Sequence, residues 1–229
     1  RNFFANLGRA HMTFARGSLV KRAFEALAPF YDLVTEPIAS ARNRVVEFTN
    51  ANNGSKVLDV ATGTGKQAFA FARNGYEVIG IDLSEAMLKV ARRKNKYRNA
   101  KFEIADATHL RFSDDSFDVS CISLALHDMP QIIREKVLKE MARVTKAGGL
   151  IMVVDYGLPE NRIRRFFISH LIKLYEGKYY SEFMKLDLTA FLEKSRIKVI
   201  KELPILSGAG RIIKGINTKG GDKNGFHKN

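Results

Sequence analysis

Between Val57 and Asp155 the sequence alternates short apolar runs with stretches of helical period, and this alternation limits the fold more than any other feature. The apolar runs are Val57 to Val60, Glu77 to Ile81, Lys101 to Ala105, Phe117 to Ser123 and Leu150 to Asp155; the helical stretches are Gln67 to Asn74, Glu85 to Tyr97 and Ile132 to Thr145. Apolar strands need cover on both faces, and a helix between consecutive strands supplies it, so the pattern predicts βαβ units around a parallel sheet. Two further strands, Ile197 to Leu203 and Arg211 to Ile216, are separated by Pro204 and the turn Ser207-Gly208-Ala209-Gly210. A parallel crossover needs about a dozen or more residues, so this pair forms an antiparallel hairpin at the end of the sheet. The expected fold is α/β: a doubly wound, seven-stranded, mostly parallel sheet with an antiparallel last strand, flanked by helices.

A chain of 229 residues with 45% hydrophobic content suffices for one such domain and would cramp two. Residues 12–217 are expected to form it, with 158–190 a lid or substrate-binding insert. Ahead of the first strand, Leu19, Ala23, Phe24, Leu27 and Phe30 recur at helical spacing. Val34, Ile38, Ala41, Val45, Val46 and Phe48 continue the pattern past Pro37, giving two helices. Residues 1–11 have no usable period, and His11-Met12 reads as an expression junction before a native start. The Gly/Lys-rich stretch 218–229 is expected to be disordered. The apolar runs are strand-sized, short of the roughly 18–20 residues of a membrane span, and no secretory signal is visible; the expectation is a soluble, cytoplasmic protein. A single cysteine, Cys121, excludes a disulfide framework and a cysteine-rich metal site, and no metal is expected. The net charge of +14 is densest at Lys89, Arg92, Arg93, Lys94, Lys96, Arg98 and Lys101, which read first as a solvated helix face and second as a surface for an anionic partner.

The sharpest local signal is Val57-Leu58-Asp59-Val60-Ala61-Thr62-Gly63-Thr64-Gly65, a strand entering a Gly-rich turn that opens a helix. In a doubly wound sheet ligands bind at the carboxyl ends of strands, where glycines let a backbone approach closely. Gly63, Gly65 and Ala68 also fit the dinucleotide fingerprint, so a nicotinamide oxidoreductase enters the comparison. Asp59 weighs against it, because a carboxylate there meets a pyrophosphate with like charge. A cofactor that is cationic and free of phosphate fits better, and S-adenosyl-L-methionine, with a sulfonium and an ammonium, is one. Asp82, 23 residues after Asp59, ends the next strand, where a carboxylate accepts both ribose hydroxyl hydrogens of an adenosine. Its alternative role is capping the helix that follows, which Ser84 can fill. Asp106 ends the third strand and can accept from an adenine amine.

With acids on three successive strand ends, the chain resembles the ubiquinone/menaquinone-biosynthesis type of class I S-adenosylmethionine-dependent methyltransferase and its small-molecule relatives, a Rossmann-like family. The resemblance covers about residues 19–216 and rests on Phe24 to Asp32, Asp59 to Gly65, Asp82, Asp106-Ala107 and Ala147-Gly148-Gly149. It implies that Ala61, Thr62, Gly63, Thr64 and Gly65 lie beside the methionine part of the cofactor. It likewise implies that Leu83 and Met87 flank the adenosine, that Leu124 follows a strand end near the sulfonium, and that Tyr31 borders the same pocket. Ala61 departs from the family's turn, where a glycine is usual.

Methyl transfer is an in-line displacement that needs an acceptor atom held close and, for a hydroxyl or acidic carbon, a base. His127, in Leu124-Ala125-Leu126-His127-Asp128-Met129-Pro130, is the candidate base, against a structural role in the loop; Tyr31 and Tyr156 are further pocket candidates. Enzymes that methylate amino nitrogens share an Asn/Asp-Pro-Pro-aromatic segment that this chain lacks. In the insert, Ile163, Phe166, Phe167, His170, Leu171 and Leu174 share a helix face flanked by Arg162, Arg164, Arg165 and Lys173. That face suits a lid over an apolar pocket lined by Phe166, Phe167, Leu171 and Tyr175, or peripheral contact with an anionic membrane. The expected activity is methyl transfer to a small-molecule or lipid-like acceptor, quinone precursors included. An RNA-directed methyltransferase or RNA-binding module is the alternative, and an NAD-dependent oxidoreductase a more distant one.

Overall fold

A computed structural model describes residues 39–157 and 179–220. The expected first helix, Tyr31, the insert residues 158–178 with Phe166, Phe167, Leu171 and Tyr175, and residues 221–229 lie outside the described part.

The first described helix, α1 (Ala39–Thr49), precedes β1 (Lys56–Val60), α2 (Lys66–Arg73), β2 (Glu77–Asp82), α3 (Glu85–Lys94) and β3 (Ala100–Ile104). The chain then forms β4 (Phe117–Ser123), a 3-10 turn (Leu126–Asp128), α4 (Gln131–Val144) and β5 (Thr145–Tyr156). Two short helices, α5 (Tyr180–Phe183) and α6 (Leu188–Glu193), lead to β6 (Ile197–Ile205) and β7 (Gly210–Asn217). The seven strands lie in the order β3-β2-β1-β4-β5-β7-β6. Strands β1 to β5 pair in parallel, while β7 inserts between β5 and β6 and runs antiparallel to both. The doubly wound sheet and its antiparallel last strand thus stand as expected.

Each inner strand sends alternate side chains to two cores. Val57, Val119, Cys121, Met152 and Val154 pack with α1, α2 and α3, and Leu58, Val60, Ile122, Ile151 and Val153 with α4, α5 and α6. Cys121 is a buried structural thiol. The basic residues from Lys89 to Lys101 are exposed, as a solvated face requires.

Three boundaries differ from the expectation. Strand β5 begins at Thr145 rather than Leu150; Lys146, Ala147 and Gly148 are exposed, so the extension carries no apolar signal. Strand β6 runs through Pro204, which an edge strand tolerates because no ladder hydrogen bond needs its missing N–H. Thr218 and Lys219, assigned to a disordered tail, are held: the Thr218 amide donates to Arg196 O at 2.8 Å and the Lys219 ammonium to Arg143 O.

The last strand is pinned in its middle and at its end. Lys214 donates to the carbonyls of Phe48 and Thr49 at 3.2 and 2.8 Å, capping α1 and holding it against the sheet. Asn217, almost fully buried, donates its side-chain amide to Ala142 O and Thr145 O at 2.7 and 2.8 Å, where α4 passes into β5. Truncation at Asn217 deserts buried acceptors, each worth about 1–3 kcal/mol. Asn217→Ala is therefore expected to lower unfolding free energy by roughly 2 kcal/mol or more, measured by urea denaturation.

Candidate active site

Strand order reverses between β1 and β4, so the loops that leave their carboxyl ends diverge to opposite faces and open a crevice. The first residue after each strand is left-handed without being glycine: Ala61 at φ 54° and Leu124 at φ 52°. Such conformations cost of order 1 kcal/mol or more and persist where the surroundings impose them. Here two strong backbone bonds do so, from the Thr62 amide to Ile81 O at 2.9 Å and from the Leu124 amide to Val154 O at 2.7 Å. In the turn that follows Ala61, Gly63 (φ 56°) and Gly65 (φ 81°) are left-handed too, and a Cβ on Gly65 would fall 2.8 Å from the Phe102 ring. A Cβ on Gly63 would meet nothing within 4 Å, so Gly63 is set by its backbone angle and faces open space.

The turn is tied to the neighbouring strand by Asp82. Its Oδ2 accepts from the Gly63 amide and its Oδ1 from the Ser84 amide, both at 2.8 Å. Ser84 caps α3 with its own hydroxyl, which accepts from the Met87 amide at 3.3 Å. Burial raises the Asp82 pKa, against the lowering by these two amides. Each carboxylate oxygen keeps a second lone-pair site for a ligand hydroxyl. Beside it Leu83 is 48% exposed and Met87 is buried. At the end of β3, Asp106 is exposed and folds its Oδ1 onto the amide and hydroxyl of Thr108, at 2.8 and 2.7 Å, which rigidifies the turn carrying Ala107.

Asp59 lies deeper than a strand-end acid was expected to. It is 1% exposed; Oδ2 accepts from the Thr62 hydroxyl at 2.5 Å, and Oδ1 has no hydrogen-bond partner. Burial pushes its pKa to about 7, the Thr62 hydroxyl opposing and the nearby Asp82 carboxylate adding to the shift. A cleft over this acid is walled by Ala41, Arg42 and Val45 of α1 on one side and Ser123, Leu124 and Val154 on the other. Arg42 and Ser123 carry no pattern that marked them beforehand, since α1 contributes by tertiary placement and Ser123 is simply the residue where β4 stops.

On the other face of the sheet His127 is 4% exposed, and its Nδ1 lies 2.7 Å from Oδ1 of the fully buried Asp155. A carboxylate accepts only, so Nδ1 carries the proton. Asp155 also accepts from the Leu126 and Tyr156 amides at 3.1 and 2.8 Å, and the imidazole stacks edge-on against Tyr156. Nε2 lies 3.4 Å from the Asp128 carboxylate. Arg134, wholly buried, closes the group by donating to Leu126 O and Tyr179 O at 2.8 and 3.0 Å, and burial lowers its pKa. The Asp155 partnership was hidden in the sequence, 28 residues away. Among the described residues no cluster of three or more His, Cys, Asp or Glu side chains is placed for a metal, and no helix is long and apolar enough to cross a membrane.

Fold and site together define a doubly wound α/β protein with a ligand crevice at its switch point, flanked by acids on three neighbouring strand ends. A family model described as a methyltransferase domain matches residues 57–149. The demethylmenaquinone methyltransferase of Geobacillus kaustophilus (strain HTA426) is 34% identical over 190 residues, 75% of this chain and 80% of that protein. That of Paenarthrobacter aurescens (strain TC1) is 37% identical over 155 residues, 63% of this chain and 60% of that protein. A solved structure of a putative methyltransferase from Bacillus halodurans C-125 shares the fold, with a TM-score of 0.64 at 21% identity, over 78% of this chain and 99% of that one. The chain spans about three fifths of the length of several curated relatives. It belongs to the class I S-adenosylmethionine-dependent methyltransferases and is related to the quinone-biosynthesis branch.

The buried acid makes a measurable signature. The folded pKa of Asp59, about 7, stands above its unfolded value near 3.8, so ionisation destabilises the fold increasingly as pH rises between those values. The isosteric Asp59→Asn protein is expected to match the wild type near pH 4 and to exceed it in stability increasingly up to pH 8, by denaturant titration at each pH. Equal pH slopes for the two proteins would contradict the buried carboxyl.

Proposed function

We propose that this chain transfers the methyl group of S-adenosylmethionine to a small apolar acceptor of the quinone-precursor type. The observation that carries the cofactor is Asp82, anchored by the Gly63 and Ser84 amides at the mouth of a left-handed turn, with an acid on the strand end to either side. When bound, S-adenosylmethionine supplies an electrophilic methyl group on a sulfonium. Asp82 accepts the ribose hydroxyl hydrogens, Leu83 and Met87 hold the adenine plane, and Asp106 with Ala107 takes its edge. The turn from Ala61 through Thr62, Gly63 and Thr64 to Gly65 lies along the methionine part, with Asp59 beneath. Leu124, across the crevice, presses on the reacting end. The orphaned Oδ1 of Asp59 suits this cofactor, because a positive group above a buried carboxylate restores the charge balance that burial removed.

The acceptor side is the His127 loop. Asp155 orients the imidazole through Nδ1, so Nε2, which lies 3.4 Å from the Asp128 carboxylate, is the atom that would exchange a proton with an acceptor hydroxyl or acidic carbon. Tyr156 lies against that ring and shapes the pocket. A quinone precursor is favoured over RNA by the relatedness to two demethylmenaquinone methyltransferases and by the location of the basic run, which lies on the solvent face of α3 and the β3 edge.

Calorimetric titration is expected to give dissociation constants on the order of micromolar for S-adenosylmethionine and S-adenosylhomocysteine, and no heat with NAD. Asp82→Ala should weaken S-adenosylhomocysteine by roughly 10 to 100-fold, the worth of hydrogen bonds to a charged group. Binding of NAD instead of the sulfonium cofactor would overturn the reading.

For the acceptor, demethylmenaquinol analogues, small phenols, amines and bulk RNA are compared by release of S-adenosylhomocysteine. Turnover is expected with the quinol, and RNA-only turnover would sink the apolar-acceptor assignment. His127→Asn should lower kcat on the accepted compound by roughly 10²–10⁴, the range for a general base, with cofactor affinity unchanged.

A further inference from the structure

The connection from β3 to β4, residues 105–116, carries Asp106 and Ala107 near its start and contains neither helix nor strand. Stretches of this length without regular structure are uncommon in a compact domain, so the bonds that hold this one are informative. Its entry is set by the sheet, where the Ala105 amide donates to Asp82 O at 3.1 Å. From Asp106 to His109, among the described residues, the hydrogen bonds stay within the turn: Asp106 Oδ1 accepts from Thr108, and Asp106 O accepts from the His109 amide at 3.0 Å. The direction of the turn therefore depends on the residues after it.

Those residues are gripped by two side chains of α4. Glu140 and Arg143, three positions apart on the helix, meet as a two-pronged pair, Nε to Oε1 at 2.8 Å and Nη2 to Oε2 at 2.9 Å. The guanidinium holds the Glu140 carboxyl below its usual range. Both groups then take hold of the connection at alternate residues. The Leu110 amide donates to Glu140 Oε2 at 2.7 Å, while Arg143 donates to Leu110 O and Phe112 O, each at 2.9 Å, and to the Asp114 carboxylate at 2.7 Å. From the end of β7, Lys219 closes the far side: its ammonium lies 2.9 Å from the Asp115 carboxylate and also donates to Arg143 O. An isolated surface ion pair would hold little, but a planar guanidinium with several donors in fixed directions acts as a template for a backbone. Arg143 and Glu140 do not line the cleft over Asp59, and their grip begins at Leu110, past the turn that carries Asp106.

The consequence falls on Asp106. A carboxylate accepts only, so it favours an exocyclic amine and repels a carbonyl oxygen in the same place. Thr108 occupies Oδ1, which leaves Oδ2 to face a ligand. An exposed acceptor discriminates between the two only when its direction is fixed, because ordering it on binding would cancel the gain. We propose that Arg143, braced by Glu140, is a positioning residue for base selectivity: it fixes residues 110–114, and through them Asp106, so that the site takes a purine with an exocyclic amine over one with a carbonyl.

This inference rests on the S-adenosylmethionine reading, and the experiment keeps the two separable. The probes are S-adenosylhomocysteine and its deaminated analogue, in which hypoxanthine replaces adenine. They are titrated calorimetrically into the wild type, Asp106→Asn, Arg143→Gln and Arg143→Lys, and thermal melting verifies that each is folded. The wild type is expected to prefer the adenine compound by roughly 10-fold, the low end for a hydrogen bond to a charged group, since Asp106 is exposed. Asp106→Asn should abolish the preference. Arg143→Gln should reduce it to about 2-fold or less, by weakening the adenine compound more than its analogue. Arg143→Lys should keep part of it, because one ammonium reaches fewer of the acceptors. A purely structural loss would weaken both compounds alike and leave their ratio unchanged. Full preference retained in Arg143→Gln, or in Arg143→Lys should the first variant fail to fold, would therefore overturn the assignment of Arg143. A wild type that binds both compounds equally would also overturn it while leaving the cofactor reading intact, and one that binds neither would remove both.

Discussion

The reversal of strand order between β1 and β4 is the constraint from which the site follows. In a parallel sheet every connection crosses one face or the other, and where the direction of winding changes, two neighbouring strand ends are left with nothing between them. This chain fills neither end with a bulky loop. It turns sharply after Val60 and after Ser123, using Ala61 and Leu124 in left-handed conformations, and ties each turn to the adjacent strand by a backbone bond, Thr62 to Ile81 and Leu124 to Val154. At the crevice, backbone strain thus falls on the residue that follows each strand. The ladder hydrogen bonds of β1 with β2 and of β4 with β5 hold both in place.

Around that crevice the protein buries charge on both faces of the sheet, with different degrees of compensation. On the α4 face, Asp155 is met by three amides and an imidazole, while Arg134 donates to two carbonyls and leaves its buried Nη1 without a hydrogen-bond partner; together they frame the loop that carries His127. On the α1 face, Asp59 has one hydroxyl and an unpartnered oxygen, and its pKa rises toward neutrality. A fully compensated carboxylate stabilises the fold, whereas an incompletely compensated one destabilises it unless a cation arrives. The two faces therefore differ in how far a buried carboxylate is compensated.

Much of this was legible in the sequence because it depends on local pattern. Strand ends are visible where an apolar run stops at an acid, so Asp59, Asp82 and Asp106 could be placed together before any coordinates, as could the antiparallel hairpin from the shortness of its connection. What depends on tertiary placement was not visible. Arg42 is one basic residue among several on α1, and it reaches the cleft over Asp59 because tertiary contacts seat that helix, among them Lys214, 165 and 166 residues distant from its two acceptors, and the core packing of Val45 and Val46. His127 could be seen as a strand-end histidine, but its fixed tautomer comes from a residue on another strand. The early start of β5 was missed because Lys146, Ala147 and Gly148 are exposed and lie where the register between β4 and β5 shifts, so hydropathy has nothing to report there.

Asp82 has two duties that the sequence presented as rivals. Ser84 caps α3, as its position suggested, yet Asp82 still accepts from the Ser84 amide, and its other oxygen holds Gly63. The same carboxylate therefore fixes the start of α3 and the turn after β1 relative to each other, across β1 and β2. A ligand hydroxyl that bonds Asp82 meets an acceptor whose direction is already set by two backbone amides, so little side-chain entropy is lost on binding. Such prior ordering would lower the cost of holding a ligand hydroxyl at the end of an open sheet. Acceptors immobilised by the fold suit a ligand that presents hydroxyls, and the buried acid beneath the turn, when ionised, sets up a field that favours a cation.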